Sequence, residues 1–145
     1  MQPRIAVLID AENMAAKHWP RIRGRIETLG NLVICRVFGN FTEQRLAGWL
    51  KIAEAEALQP VMQFSGANAC DISIAVAAMD MLHQGKLEAM CSVSSDGDFT
   101  PLVHRLCSAG IKVHVFGKDK SAASLKWACT SFTSVSQLPP AAAAA

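Results

Sequence analysis

Short apolar runs recur along the chain, and the segments between them repeat apolar residues every three or four positions. A continuous apolar run of strand length is typical of a strand that is covered on both faces, whereas a half-exposed strand alternates apolar and polar residues. The apolar runs predict strands at residues 4–10, 32–38, 59–64, 89–94 and 111–116, and a final edge strand at 132–135.

The segments between these runs predict helices at residues 20–29, from 42 onward, at 71–83, at 100–108 and from 121 onward. Pro20 fits the first turn of the first helix, and Gly30 and Gly85 fit the ends of the first and third helices. Thr42 and Ser121 are predicted N-caps, because a hydroxyl oxygen can accept a hydrogen bond from a free N–H group at a helix start.

Strands that alternate with helices through short loops predict an α/β fold with a mainly parallel sheet of five to six strands and helices on both faces. A chain of 145 residues with 51% hydrophobic and 18% charged residues is long and apolar enough for one compact domain. We expect this domain to span residues 1–138. The Pro-Pro dipeptide and five alanines of residues 139–145 are expected to form a disordered tail.

The composition of the chain argues against several classes of protein and of binding site. The chain has no apolar run of about 20 residues that would span a bilayer, and the acid at position 10 makes the N-terminus a poor secretory signal. Its five cysteines contain no C-x-x-C pair, which favours reduced thiols in a cytoplasmic protein. The glycines form neither a P-loop nor a G-x-G-x-x-G turn, so no nucleotide cofactor is expected.

Four aspartates follow strands or begin helices on the predicted sheet. Asp10 ends the first strand, Asp96 and Asp98 follow the fourth, and Asp71 opens the helix after the third. Because ligands of open α/β sheets bind beyond the carboxyl ends of the strands, we expect the four to converge. Carboxylate oxygens without histidine or cysteine suit Mg²⁺ or Mn²⁺. Alternatively, Asp71 and Asp98 are N-caps and Asp96 starts a turn.

Three motifs resemble those of the NYN domain, a PIN-like ribonuclease family with LabA-like and limkain-type members. They are D-x-E-N at residues 10–13, G-x-N-x-x-D at residues 66–71 and S-S-D-x-D-F at residues 94–99. The resemblance implies a PIN-like Rossmannoid fold and metal-dependent cleavage of RNA phosphodiesters. We expect this cleavage to be endonucleolytic and to act on single-stranded RNA. Its implied catalytic residues and metal ligands are Asp10, Asp71, Asp96 and Asp98.

Further polar residues of the motifs are candidates for orienting ligands or substrate. Asn13 and Asn68 fit this role, although Asn13 also fits a turn or a helix start. Ser94 and Ser95 could donate hydrogen bonds to a carboxylate or a phosphate, or could be small residues in a tight strand exit.

Two positions depart from close bacterial relatives, which usually have a lysine in place of Ala67 and an aspartate in place of Ala77. Limkain-type members also lack that aspartate. The departures leave open a second interpretation, a non-cleaving RNA-binding module with a degenerate metal site. A third is a Toprim-like Mg²⁺-dependent nuclease, against which stands Asp10, since Toprim domains place a glutamate there.

The net charge of +2 is too small to attract RNA by itself, so phosphate contacts must come from local basic groups. Two such groups stand out, Lys17, Arg21, Arg23 and Arg25, and Lys112, Lys118, Lys120 and Lys126. We expect RNA backbone contacts from Arg21, Arg25, Lys118 and Lys120, with a solvated face as the alternative. Trp19 is the candidate for base stacking, and a homo-oligomer is compatible with the sequence.

Overall fold

The computed structural model describes residues 2–64, 66, 68–94 and 96–140. Within these ranges the strands are β1 (Arg4–Asp10), β2 (Asn31–Gly39), β3 (Gln59–Met62), β4 (Ala89–Val93), β5 (Lys112–Gly117) and β6 (Ser131–Ser134). The helices are α1 (Trp19–Glu27), α2 (Ala47–Glu56), α3 (Ala69–Gln84), α4 (Thr100–Ser108) and α5 (Ala123–Ala128). The fold class predicted from the sequence is confirmed.

The six strands form one parallel sheet in the order β3-β2-β1-β4-β5-β6. After β1 the chain adds β2 and β3 on one side of the sheet, and after β4 it adds β5 and β6 on the other side. The strand order therefore reverses between β1 and β4. Ile9 of β1 pairs with Val93 of β4 at the carboxyl end of the sheet. A crevice opens at this reversal, because the connections after β1 and β4 diverge to opposite sides.

Side chains of β1 alternate between two cores, one on each face of the sheet. Ile5, Val7 and Ile9 pack with the core that α1 and α2 cover. Ala6 and Leu8 pack with the core that α3, α4 and α5 cover. The uninterrupted apolar run of β1 is therefore required by burial on both faces.

Trp19 lies in the core and is fully buried. Its ring meets that of Trp49 edge to face at 6.0 Å between centroids, and its indole N–H donates to Glu56 Oε1 at 3.2 Å. The prediction that Trp19 stacks on a base is therefore wrong, because no face of the ring is accessible.

Two predicted N-caps are also wrong. Thr42 Oγ1 donates to Asn40 Oδ1 at 2.5 Å, and α2 begins later, after a 3₁₀ turn at Gln44–Leu46. Ser121 Oγ donates to Lys118 O at 2.7 Å, one residue before the Ala122 position that precedes α5. Both hydroxyls stabilise turns that lead into the helices, since the chain enters each helix through a turn.

Of the two glycines that were predicted to end helices, one does so in the structure. Gly85 ends α3 in the left-handed conformation with φ of 68°, as predicted. Gly30 does not close α1, which ends at Glu27. A Cβ at Gly30 would lie 2.5 Å from Pro3 O and 2.8 Å from Ile5 Cδ1, so glycine is needed where the chain passes close to the start of β1.

None of the helices in the described part of the chain has the length and apolar character needed to cross a membrane. The predicted boundary at residue 138 follows β6 and a 3₁₀ turn at Val135–Gln137. Most of the predicted tail, residues 141–145, lies outside the described residues.

Two isoleucines on α3 provide a matched test of the core. Ile74 is 2% exposed, whereas Ile72 is 62% exposed on the same helix. Ile74→Ala should lower the free energy of unfolding by about 2–5 kcal/mol, because it removes buried methyl groups and leaves a cavity. Ile72→Ala should change it by about 0.5 kcal/mol or less. Urea denaturation measures both, and equal effects would contradict the packing of α3.

Candidate metal centre

Carboxylates from two separate segments meet at the crevice beside β1 and β4. Asp71 lies in the first turn of α3, and Asp96 and Asp98 lie at the 3₁₀ turn Gly97–Phe99 that leads into α4. One carboxylate oxygen from each of the three lies within 4.8 Å of the others. This spacing allows one cation to contact all three side chains.

Asp10 is fully buried at the end of β1, and the group of three does not include it. Its Oδ1 accepts from Glu12 N at 3.1 Å, and its Oδ2 accepts from Asn13 Nδ2 at 2.7 Å and from Ser94 Oγ at 3.0 Å. Burial raises the pKa of Asp10, the hydrogen bonds from Asn13, Ser94 and Glu12 oppose that rise, and the charge of Asp96 adds to it. Hydrogen bonds from one backbone N–H group and two side chains therefore hold the carboxylate of Asp10 in place.

The pKa of Asp71 is raised to about 7. The largest cause is burial, followed by a hydrogen bond with Asp96 and by the negative charges of Asp96, Asp10 and Asp98. A hydrogen bond between two carboxyl groups requires a proton on one of them, because two ionised carboxylates have no donor. Because its pKa is about 7, Asp71 is protonated in a large fraction of molecules near neutral pH when no cation is bound.

The alternative in which Asp71 and Asp98 are N-caps is wrong. Asn68 occupies the N-cap position of α3 with φ of 61°, and Asp71 follows it inside the helix. Asp96 Oδ1 accepts from Asp98 N at 2.9 Å, so Asp96 is the cap of the 3₁₀ turn. Both helix starts direct partial positive charge toward the acids, which offsets part of their mutual repulsion.

A chain of hydrogen bonds joins β1, β4 and the 3₁₀ turn. Asn13 and Ser94 both donate to Asp10 Oδ2, and Ser94 Oγ in turn accepts from Asp96 N at 3.3 Å. Asn68, the other predicted orienting residue in the described chain, is exposed and lines the same cleft. Ser95 and Ala67 lie outside the described residues.

Asp71 and Asp96 line a cleft of about 280 Å³ that also contains residues for which the sequence predicted no role. These additional lining residues are Glu12, Glu43, Phe64, Gly66, Ala69 and Cys70. Glu12 belongs to the D-x-E-N motif, which was the one signal for it. Its carboxylate pairs with Arg45 and accepts from Asn40 N at 2.9 Å, contacts that no sequence spacing indicates.

The donor chemistry of the cleft fits a hard divalent cation. Asp71, Asp96 and Asp98 supply carboxylate oxygens, the ligands that Mg²⁺ and Mn²⁺ prefer. Cys70 lines the cleft too, but burial and the charges of Asp10, Glu12 and Asp71 raise the pKa of its thiol to about 12. The thiol stays protonated, so it does not favour a soft metal.

The two basic groups that are separate in the sequence meet at His18. Arg21 Nη2 lies 2.7 Å from His18 Nδ1. Burial lowers the pKa of His18, and the charges of Arg21, Lys17 and Lys118 lower it further. Lys17, His18 and Lys118 line a groove that shares Glu12 and Asn13 with the acid cleft.

The other two predicted phosphate contacts lie farther along the surface. Lys120 lines an adjoining groove with His18 and Lys118. Arg25 lies beside Arg21 on α1, in a groove that Pro139 and Pro140 border. Arg21 and Lys118 are far apart in the sequence, but both lie near His18 in the structure.

Fold and site together define a PIN-like α/β domain with an acid cleft at the strand-order reversal. Residues 4–136 match the NYN domain family, and the chain belongs to that family. The family is one of nuclease-like ribonuclease domains, and the carboxylate cluster of Asp71, Asp96 and Asp98 accords with it.

Similar proteins support the assignment of the fold. An uncharacterized protein of Methanocaldococcus jannaschii is 30% identical over 120 residues, which cover 80% of this chain and 48% of the relative. The chain thus spans about half the length of that relative.

Solved structures show the same fold at lower identity. A protein of unknown function from Vibrio parahaemolyticus has a TM-score of 0.77 at 17% identity, over 92% of this chain and 93% of that one. MurG of Acinetobacter baumannii has a TM-score of 0.53 at 12% identity, over 99% of this chain and 43% of that one. At these identities the likeness concerns the fold alone.

The raised pKa of Asp71 predicts how stability depends on pH without metal. The ordinary pKa of 3.8 applies to the unfolded chain, so between pH 3.8 and about 7 the folded state binds a proton that the unfolded state releases. Lowering the pH from 8 to 5 should therefore raise the free energy of unfolding in chelator. Asp71→Asn should reduce this gain, as urea denaturation at both pH values would measure.

Asp80 supplies the control for this experiment, because it is an exposed acid on the same helix. Asp80→Asn should retain the wild-type dependence on pH. If Asp71→Asn also retained it, the proton taken up by the folded state would belong to a group other than Asp71.

Proposed function

We propose that this protein is a metal-dependent ribonuclease that cleaves single-stranded RNA endonucleolytically with Mg²⁺ or Mn²⁺. The observation that carries the proposal is the group formed by Asp71, Asp96 and Asp98, whose oxygens lie within 4.8 Å of one another in a chain of the NYN family. Electrostatic repulsion raises the free energy of carboxylates that lie close together, and a bound divalent cation offsets this repulsion.

Asp71, Asp96 and Asp98 would hold the cation. When bound, it would supply Lewis-acid polarisation of the scissile phosphate and a bound water of lowered pKa. Asp10 would fix the geometry of the site, since it receives hydrogen bonds from Asn13 and Ser94 and Ser94 in turn contacts the backbone of Asp96. In this role Asp10 positions Asp96 through Ser94.

The RNA backbone would run from the acid cleft into the neighbouring basic groove. Glu12 and Asn13 line both, so a strand that leaves the cation passes directly to Lys17, His18 and Lys118. Phosphates bind such groups by Coulomb attraction and counterion release. We expect this RNA in a cytoplasmic, reducing compartment, consistent with the five free cysteines.

A second candidate is an RNA-binding module that does not cleave. It is favoured by the hydrogen bonds of Asp10, which engage both of its oxygens and leave three carboxylates for a cation. Ala77 bears less on this choice, since it lines a different groove, with Ile72 and Asp80. Incubation of the pure protein with labelled single-stranded RNA, with Mn²⁺, with Mg²⁺ and with chelator, separates the two candidates.

Asp71 and Asp80 give a matched test, because both are acids of α3. They lie about 13 Å apart along the helix axis at 1.5 Å per residue, and Asp80 lines the groove with Arg36 and not the acid cleft. Asp71→Asn should reduce RNA cleavage about a hundredfold or more, on the scale of losing charge stabilisation in a transition state. Asp80→Asn should cleave at the wild-type rate.

Thermal denaturation completes this test. Mg²⁺ or Mn²⁺ should raise the melting temperature of the wild type and of Asp80→Asn by mass action, and should raise that of Asp71→Asn and Asp96→Asn much less. Cleavage at the wild-type rate by Asp96→Asn would show that the acid cleft is not the catalytic site.

The basic side chains around His18 predict how RNA binding depends on salt. Lys118→Gln and Arg21→Gln should each weaken binding to all RNA sequences and reduce the slope of log K against log salt by about 0.7. Lys86→Gln is the control, because Lys86 follows the C-terminus of α3 at the opposite end of the sheet. Filter binding over a salt series measures the slopes, and three equal slopes would place the phosphate contacts elsewhere.

A further inference from the structure

Phe64 is an exposed aromatic residue at the edge of the acid cleft. Its side chain is 82% exposed, yet it lines the same cleft as Asn13, Asp71 and Asp96. Phe38, Phe99 and Phe116 are by contrast buried in the two cores. Single exposed apolar residues are common on protein surfaces, but this one lies beside the acids and offers a flat apolar face to a ligand of the cleft.

The backbone holds Phe64 at the mouth of the cleft. Gln63 N, immediately before it, donates to Gly39 O at 2.9 Å and extends the pairing of β3 with β2 by one residue. A Cβ added at Gly66 would also meet no atom within 4 Å, and the Phe64 side chain is itself largely exposed. A flat group can therefore approach the ring.

The chemistry of the cleft restricts what that group can be. The cleft has a volume of about 280 Å³ and is lined by carboxylates and amides together with Phe64. Carboxylates repel an anionic group that arrives without a cation, whereas a nucleobase is uncharged and presents a π-face. With a phosphate at the acids, a base that extends toward the exposed rim of the cleft meets the ring of Phe64.

We propose that Phe64 is a stacking platform for the nucleobase next to the scissile phosphate. This inference rests on the proposed function and adds a base contact to it. A phenyl ring has no hydrogen-bonding group, so the contact contributes affinity without selecting among bases. The groove of Lys17 and Lys118 would hold the phosphates on the other side of Asn13.

Trp127 provides a matched control. It is 89% exposed on α5, and among the described residues it does not line the acid cleft. If any exposed aromatic residue attracted RNA, Trp127→Ala would weaken binding as much as Phe64→Ala does. A contact specific to the cleft requires that the two variants differ.

Binding of an unstructured labelled RNA whose linkages resist hydrolysis, measured in Mg²⁺ so that the acids do not repel the phosphate, tests the inference without cleavage. Phe64→Ala should raise the Kd about 5- to 140-fold, the range for loss of one base–aromatic stack. Phe64→Leu, which keeps the bulk without the ring, should remain weak, and Phe64→Trp should restore binding. Trp127→Ala should stay within about twofold of the wild type, since its ring lies outside the cleft.

Two further measurements distinguish stacking from a structural role. Phe64→Ala should leave the salt slope and the metal-induced rise in melting temperature unchanged, because no charge is removed. In the Trp127→Phe background, the indole introduced by Phe64→Trp should lose fluorescence when RNA binds, and an RNA without bases should cause no such loss. Cleavage by Phe64→Ala should show a raised KM with kcat within about threefold.

The outcomes separate this inference from the proposed function. Unchanged RNA affinity in Phe64→Ala, or full restoration by Phe64→Leu, would overturn the stacking contact while cleavage by the wild type stood. RNA binding that depends on Phe64 in a protein that cleaves nothing would support the contact and overturn the ribonuclease. Failure of the wild type to bind RNA would overturn both.

Discussion

Repulsion among carboxylates at one end of the sheet is the constraint around which the site is built. The sheet brings the acids together because its strand order reverses between β1 and β4, where connections leave in opposite directions. Three features reduce the cost of this crowding: the partial positive charges of two helix starts, the hydrogen bonds to Asp10, and the raised pKa of Asp71, which keeps a proton on that carboxyl group. A divalent cation would replace the proton.

Asp10 links the core to the site. It ends a strand whose other residues pack in both cores, and its oxygens receive three hydrogen bonds from residues on either side of the crevice. Because a buried carboxylate without donors is costly, these contacts restrict the side chains that surround it. The position of Asp96 therefore depends on the pairing of β1 with β4 through Ser94.

The sequence predicted those features of the fold that depend on neighbouring residues or on a repeated pattern of apolar residues. The apolar run of β1 required a doubly covered strand, and parallel strands place their following residues at one end, which gave the position of the acids. Contacts between distant residues were missed: the pair of Glu12 with Arg45, and the burial of Trp19 against Trp49. The preferences of Thr42 and Ser121 for helix caps were satisfied by turns instead, and the separation of Asp10 from the other acids depends on distances of a few ångströms.

The strand that leads to Phe64 is also the outer edge of the sheet. β3 has four residues and pairs with β2 on one side, and its second residue is Pro60, which has no backbone N–H. A long, regular edge invites another chain to add a strand, whereas a short edge with a proline offers few donors. At this edge the chain thus displays an exposed aromatic ring beside a strand that is a poor template for the addition of another strand.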